Sequence, residues 1–234
     1  MSIYTDAQEI IHSALEACLP DQAVRRALEG KEFGSGRIFL VALGKAAWQM
    51  AHCAAELLGP RLERGVVVTK HGHSQGDIPR CQVFEGGHPV PDEGSFQGTR
   101  AAMELVQDLE PQDTVVLLVS GGGSALFESP LIPAEELAQL TSALLACGAD
   151  IVEMNTLRKR LSAVKGGRFA QLCAPAQVYS IVLSDILGDP LDMIASGPAY
   201  PDRSTCAQAR AIAEKYQLPL SDQARALLDQ EPPK

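Results

Sequence analysis

Apolar positions along this chain follow two rhythms that take turns. Short, mostly apolar runs at 38–43 (IFLVAL), 66–68 (VVV), 81–84 (CQVF), 114–119 (TVVLLV) and 178–183 (VYSIVL) read as strands. Between them, 45–58, 93–109, 134–147 and 155–161 carry helical spacing. An opening helix is also predicted. Thr5-Asp6-Ala7-Gln8 has the form of a capping box, and Ile10, Ile11, Ala14, Leu15 and Cys18 follow as one stripe. All-apolar strands alternating with helices predict an α/β fold, a Rossmann-like three-layer α/β/α arrangement with a mostly parallel sheet. Two weaker helical stretches, 207–216 and 221–228, close the pattern. Residues 1–230 are therefore expected to form one N-terminal α/β domain. The ending EPPK (231–234) reads as the start of a linker rather than a natural terminus, so the native protein is expected to continue.

Composition narrows the classes. With 46% hydrophobic residues in 234, the chain can build a sizeable core without disulfides or a structural metal. No apolar run approaches the ~20 residues of a bilayer span. The N-terminus lacks the basic patch and apolar stretch of a signal peptide. The six cysteines form no CxxC pair and read as buried thiols in a reducing, cytoplasmic setting. A net charge of −9 argues against nucleic-acid and anionic-membrane partners. That charge is uneven. From 154 to 184 there is no acidic residue, while Arg158, Lys159, Arg160, Lys165 and Arg168 all fall there. A solvated helix face and an anion site explain this island equally well.

In a parallel sheet, ligands bind beyond the carboxyl ends of the strands, so the loops after the apolar runs matter most. Gly44-Lys45 follows the first run and opens a helix, where exposed N–H groups and a cation can face an anion together. A solvated lysine at a helix start fits the same residues, and the GxxxxGK[ST] pattern is absent. Ser120-Gly121-Gly122-Gly123-Ser124 follows the fourth run; three glycines allow close backbone approach and several amides aimed at one anion. Asp185 and Asp189 follow the last run, suited to Mg²⁺ or to one metal ligand and one base, with a turn or cap role open for Asp189. Ser196-Gly197 lies just beyond. Gly86-Gly87-His88-Pro89 precedes a helix, where Asp92 can serve as its cap while the prolines hold His88. His71 and His73 alone make a poor metal site.

Taken together, these loops resemble the two-domain bacterial and archaeal glycerate 2-kinases, a family whose members are sometimes named hydroxypyruvate reductases. The matching segments are GKAA (44–47), TKHGH (69–73), GGHPVPDEGS (86–95), SGGGSAL (120–126), NTLRKRLSAVKGG (155–167) and LSDILGDPLDMIASGPAYPD (183–202). The resemblance implies phosphorylation of D-glycerate at its 2-hydroxyl, with ATP and Mg²⁺ as cofactors and a homodimer left open. On that reading Lys45 acts on the transferring phosphoryl group. Ser120–Ser124 hold phosphate or the glycerate carboxylate, Arg158 and Lys165 the second anion, and Asp185 with Asp189 the metal or the hydroxyl proton. His88, Asn155, Ser196 and Gly197 join the binding set.

Two departures stand out. The family's SGPT motif has Ala199 in place of its threonine here, and the family carries a second, glycine-rich domain with the active site in the cleft between the two. The isolated chain is therefore expected to be a weak or inactive kinase. An NAD(P)H-dependent hydroxypyruvate reductase and a non-catalytic sugar-acid-binding fragment are the alternatives. The missing GxGxxG fingerprint counts against the first.

Overall fold

The chain opens with two helices, α1 (Ile3–Ala17) and α2 (Pro20–Leu28), before the first strand, β1 (Ile38–Leu43). Helix α3 (Ala47–Leu58) leads to β2 (Leu62–Lys70) and β3 (Cys81–Gly86), then α4 (Glu93–Leu105) and β4 (Thr114–Val119). Next come α5 (Gly123–Leu126), α6 (Ala134–Ala146), α7 (Ile151–Arg158) and α8 (Arg168–Leu172), which precede β5 (Gln177–Val182). Helices α9 (Cys206–Lys215) and α10 (Asp222–Leu228) finish the chain. This computed structural model describes residues 3–231, apart from Asp185, together with Pro233.

The five strands pair in the order β3-β2-β1-β4-β5, every pair parallel. Strands β1 and β4 are buried along their whole length, which is why IFLVAL and TVVLLV carry no polar alternation. Successive side chains still separate by face. Phe39, Val41, Leu43, Val115, Leu117 and Val119 pack with α4, Phe127 and Phe169. Ile38, Leu40, Ala42, Val116 and Leu118 pack with α2 and α3. The predicted three-layer α/β/α arrangement is borne out. Each fully buried valine or leucine here contributes about 1.5–3 kcal/mol.

Register fixes where the site falls. Leu43 pairs with Val68 on one side and Val119 on the other, so the loops after β1 and β4 leave the sheet level with each other. The chain order reverses between these strands, which is where an open parallel sheet forms its crevice.

Several sequence expectations change. Helix α1 starts at Ile3, so Thr5 and Asp6 lie inside it rather than capping it. Its apolar stripe covers nothing, and Ile10 and Leu15 are 70% and 63% exposed. Helices α6, α7, α9 and α10 do not cover the sheet; they share a separate core of Leu137, Leu140, Leu144, Met154, Leu157, Ile212 and Leu228. Helix α7 begins earlier than its apolar spacing suggests, because Asp150 and Glu153 form a capping box ahead of it.

Candidate functional site

The loops after β1 and β4 are bound to each other. The Lys45 N–H donates to the Gly121 carbonyl at 2.8 Å. The Ala46 N–H donates to Ser120 Oγ at 3.1 Å, and that hydroxyl donates onward to the Leu43 carbonyl at 3.3 Å. Only glycine fits at position 44. Its φ is +113°, and a Cβ there would sit 2.3 Å from Ser120 Oγ. The Ser120 hydroxyl is thus committed to the protein interior, contrary to its expected role toward a ligand.

Above this junction sits a small cradle. Gly122 has φ +88°, and a Cβ built on it would lie 3.1 Å from both Lys45 Cγ and His88 Cδ2, and 3.3 Å from His88 Nε2. Lysine, glycine loop and imidazole therefore meet around a space that a side chain would fill. Lys45 is exposed and His88 half-buried. The Gly121 and Gly122 amides donate to no acceptor among the described residues, which leaves them open to a bound anion.

The loop that delivers His88 is pinned at its base. Asp92 caps α4, accepting from the Ser95 N–H at 3.1 Å, and also accepts from the Gly87 N–H at 2.9 Å. Its other oxygen meets His71 Nε2 at 2.6 Å. Although burial works the other way, the bonds from His71, Ser95 and Gly87 hold the Asp92 carboxyl below the usual carboxylate range. The His88–Pro89 peptide is cis. Burial, with Lys45 and Lys70 nearby, lowers the His88 pKa below the ordinary histidine value. His73 Nδ1 lies 2.9 Å from the Lys45 carbonyl, so both histidines of the HGH segment brace the loops rather than form a metal pair.

On the far side of the glycine loop, hydroxyls form a chain. Ser124 Oγ meets Ser196 Oγ at 2.9 Å, and Ser196 donates to Asn155 Oδ1 at 3.0 Å. Ser196 is fully buried, and Ala195, Ser196 and Gly197 all have positive φ (52°, 60° and 63°). Two non-glycine residues in that region cost of order 1–3 kcal/mol each and persist only where surroundings enforce them. Here Ala195 packs where a Cβ on Gly123 would otherwise go, 2.6 Å away.

The positive island is mostly internal. Lys165 is buried, donating to Glu128 Oε2 at 2.6 Å and to the Phe127 carbonyl at 2.9 Å. Its expected place as an anion ligand in an open loop is not what the structure shows. Burial lowers its pKa, and Glu128 counters that. Lys159 lies between Asp192 and Asp202 at 3.4 and 3.3 Å, and Arg160 reaches Asp202 and Ser204. Arg158 differs: half-buried and one helical turn from Asn155, its guanidinium makes no hydrogen bond or ion pair among the described residues, although the Glu128 carboxylate acts on it. Neither Glu128 nor Asp202 is given a role by the sequence, since nothing in the pattern separates a buried acid from a surface one.

Of the carboxylates expected to hold metal, Asp185 lies outside the described residues, and Asp189 is exposed with φ +46°. Among the described residues no trio of His, Cys, Asp or Glu converges to hold a metal ion. No described helix is long and apolar enough to cross a membrane.

Residues 6–229 match the profile of a family described as a domain of unknown function, DUF4147. The chain belongs to the DUF4147 family. It is 52% identical over 230 residues to a D-glycerate 2-kinase of Thermotoga maritima, covering 97% of this chain and 55% of that protein. A glycerate 2-kinase of Pyrococcus horikoshii is 39% identical over 230 residues, covering 93% of this chain and 51% of that protein. The crystal structure of a glycerate kinase from Thermotoga maritima matches with TM-score 0.93, over 97% of this chain and 55% of that one. A Pyrococcus horikoshii structure matches with TM-score 0.90 at 37% identity, over 98% of this chain and 55% of that one. The resemblance read from the motifs is borne out. The chain spans about half the length of the relatives it matches.

Proposed function

We propose that this DUF4147 chain carries the phosphate- and substrate-facing groups of a kinase that transfers the terminal phosphoryl group of ATP to the 2-hydroxyl of D-glycerate. The observation that carries the reading is the cradle where Lys45, the Gly121–Gly122 amides and His88 converge at the reversal point of the sheet. Phosphoryl transfer asks little covalent chemistry of a protein; it asks for positioning and charge neutralisation. Lys45 and the two unpaired amides supply positive potential for phosphate oxygens. The fixed Ser124–Ser196–Asn155 chain, with Arg158 one turn beyond, offers a second pole for the glycerate carboxylate. The described residues fit phosphate better than a bare metal cage. A magnesium ion would enter with the nucleotide, Asp189 and Asp185 being its nearest candidates by sequence, and would neutralise phosphate charge when bound.

Calorimetry with ATP and with D-glycerate, paired with a coupled ADP-release assay, tests this. Binding of both ligands is expected, with weak turnover, because Lys45 is exposed to water and electrostatic contacts weaken in high dielectric. A chain that ignores both ligands, or that oxidises NADH with hydroxypyruvate, would end the kinase reading.

A further inference from the structure

Among the ionisable groups at the carboxyl edge of the sheet, His88 is placed unlike the others. His71 is tied to Asp92 and His73 to the Lys45 carbonyl, so both have a fixed partner. Neither ring nitrogen of His88 makes a hydrogen bond with any described residue, although the ring is half-buried and its Nε2 edge lies over Gly122. Among the described residues no carboxylate acts on it either. The charged groups acting on it are the ammonium groups of Lys45, from the loop after β1, and Lys70, at the end of β2. The nearest acid on its own loop, Asp92, is occupied by His71 and by the amides of Gly87 and Ser95.

An imidazole so placed is pushed toward its neutral form and keeps an unbonded ring nitrogen beside the phosphate-facing lysine. Both properties suit a proton acceptor. Asp189 suits the role less well: it is exposed, whereas His88 touches the cradle itself.

We propose that His88, through Nε2, takes the proton of the acceptor hydroxyl during phosphoryl transfer. This rests on the kinase reading above. As the hydroxyl oxygen bonds to the terminal phosphorus of a nucleoside triphosphate, its O–H bond breaks and the proton passes to Nε2. The bond from that phosphorus to the bridging oxygen breaks at the same time, and its electron pair leaves with the nucleoside diphosphate. Imidazolium forms next to two ammonium groups, so it is acidic and returns its proton to solvent before the next turnover.

Two measurements decide it. In NMR titration of this chain, with the His88 ring resonance assigned by its loss in His88→Gln, the ring is expected to titrate below about 6.5. Saturating D-glycerate should shift that resonance. In the pH profile of D-glycerate-dependent ADP release, His88→Gln should lower kcat by about 10²–10⁴ and remove the acidic limb, leaving KM within a few-fold. If D-glycerate binds by calorimetry yet leaves the His88 resonance unmoved, or the variant keeps its acidic limb, His88 is not the acceptor and the kinase reading survives. If neither D-glycerate nor ATP binds, both fall together. A ring that titrates well above the assay pH, and is therefore already protonated when the hydroxyl arrives, overturns the proposal whatever the turnover.

Discussion

The backbone N–H of Lys45 donates to the carbonyl of Gly121 at 2.8 Å, so the lysine and the glycine loop move as one unit although 76 residues separate them. The bond uses main-chain atoms alone. It survives any substitution of the lysine except proline and leaves the lysine side chain free for a ligand.

Lys45→Ala is therefore expected to leave the fold intact while removing one preorganised charge. The loss in kcat for D-glycerate-dependent ADP release should be about 10²–10³, the size found when one electrostatic donor is deleted from a site. Circular dichroism and a melting curve check the fold. A variant that keeps more than half of the wild-type kcat would remove Lys45 from the mechanism.

The two glycines on either side of this bond should respond differently to added side chains. At Gly44 a Cβ would meet the Ser120 side chain and carbonyl at 2.3 and 2.4 Å, with φ at +113°. Backbone cannot yield as a side-chain end can, so Gly44→Ala should lower the melting temperature by many degrees. At Gly122 the neighbours are the Lys45 and His88 side chains, both able to swing aside. Gly122 also has a left-handed φ of +88°, so Gly122→Val costs some stability, but it should keep a native spectrum while losing calorimetric binding of phosphate and ATP. Unchanged binding would reduce the glycine loop to a turn.

Much of this was legible in the sequence because the chemistry coincided with backbone demands. Strands β1 and β4 announce themselves by being apolar on both faces, and the loops after them sit where any parallel sheet places its crevice. Lys45, Gly122 and His88 could each be named from one-dimensional pattern. Their convergence could not, since His88 arrives from an outer strand on a loop that crosses two strand ends. The charge island misled for a different reason. Net charge along a segment says nothing about acids far away in sequence, and Glu128, Asp192 and Asp202 neutralise most of it. Ser196 was named, but not its left-handed backbone, because serine carries no signal for positive φ.

Helix α1 offers a test of burial. None of its residues is buried, so it contributes almost nothing to the domain's core. Deleting residues 1–18 should move the urea midpoint negligibly, within the ±0.5 kcal/mol typical of surface changes. A clear loss of stability would show that the helix packs on something in solution.

Asp113 sets an acid limit on stability. It is buried, accepting from the Arg37 N–H at 2.9 Å and the Arg37 guanidinium at 2.6 Å, and its pKa is lowered chiefly by that guanidinium. A carboxyl with a depressed folded pKa adds stability above its unfolded value near 4, and that stability fades as pH falls through the folded value. Urea midpoints of the wild type should fall more steeply below pH 4 than those of Asp113→Asn, which starts lower at pH 7. Parallel curves would mean that Arg37 gives Asp113 no net preference for its charged form.

Lys165 can be asked directly whether it serves the fold or a ligand. Its ammonium is buried against Glu128, whose second carboxylate oxygen, Oε1, has no hydrogen-bond partner among the described residues. Removing one member of a buried pair strands the other charge and costs about 3–5 kcal/mol, whereas replacing both with apolar residues of similar size is often neutral or better. Lys165→Met and Glu128→Leu should each lower the urea midpoint sharply, and the double variant should recover most of the loss. That recovery is the signature of a structural pair. The decisive reading is then taken on the double variant, which folds but has no ammonium at 165. If it binds phosphate and ATP as the wild type does, the lysine acts by locking the segment after α7 beneath the glycine loop. If stability returns while anion binding is lost, the pair must open when ligand arrives, and Lys165 regains the anion-facing place its sequence suggested.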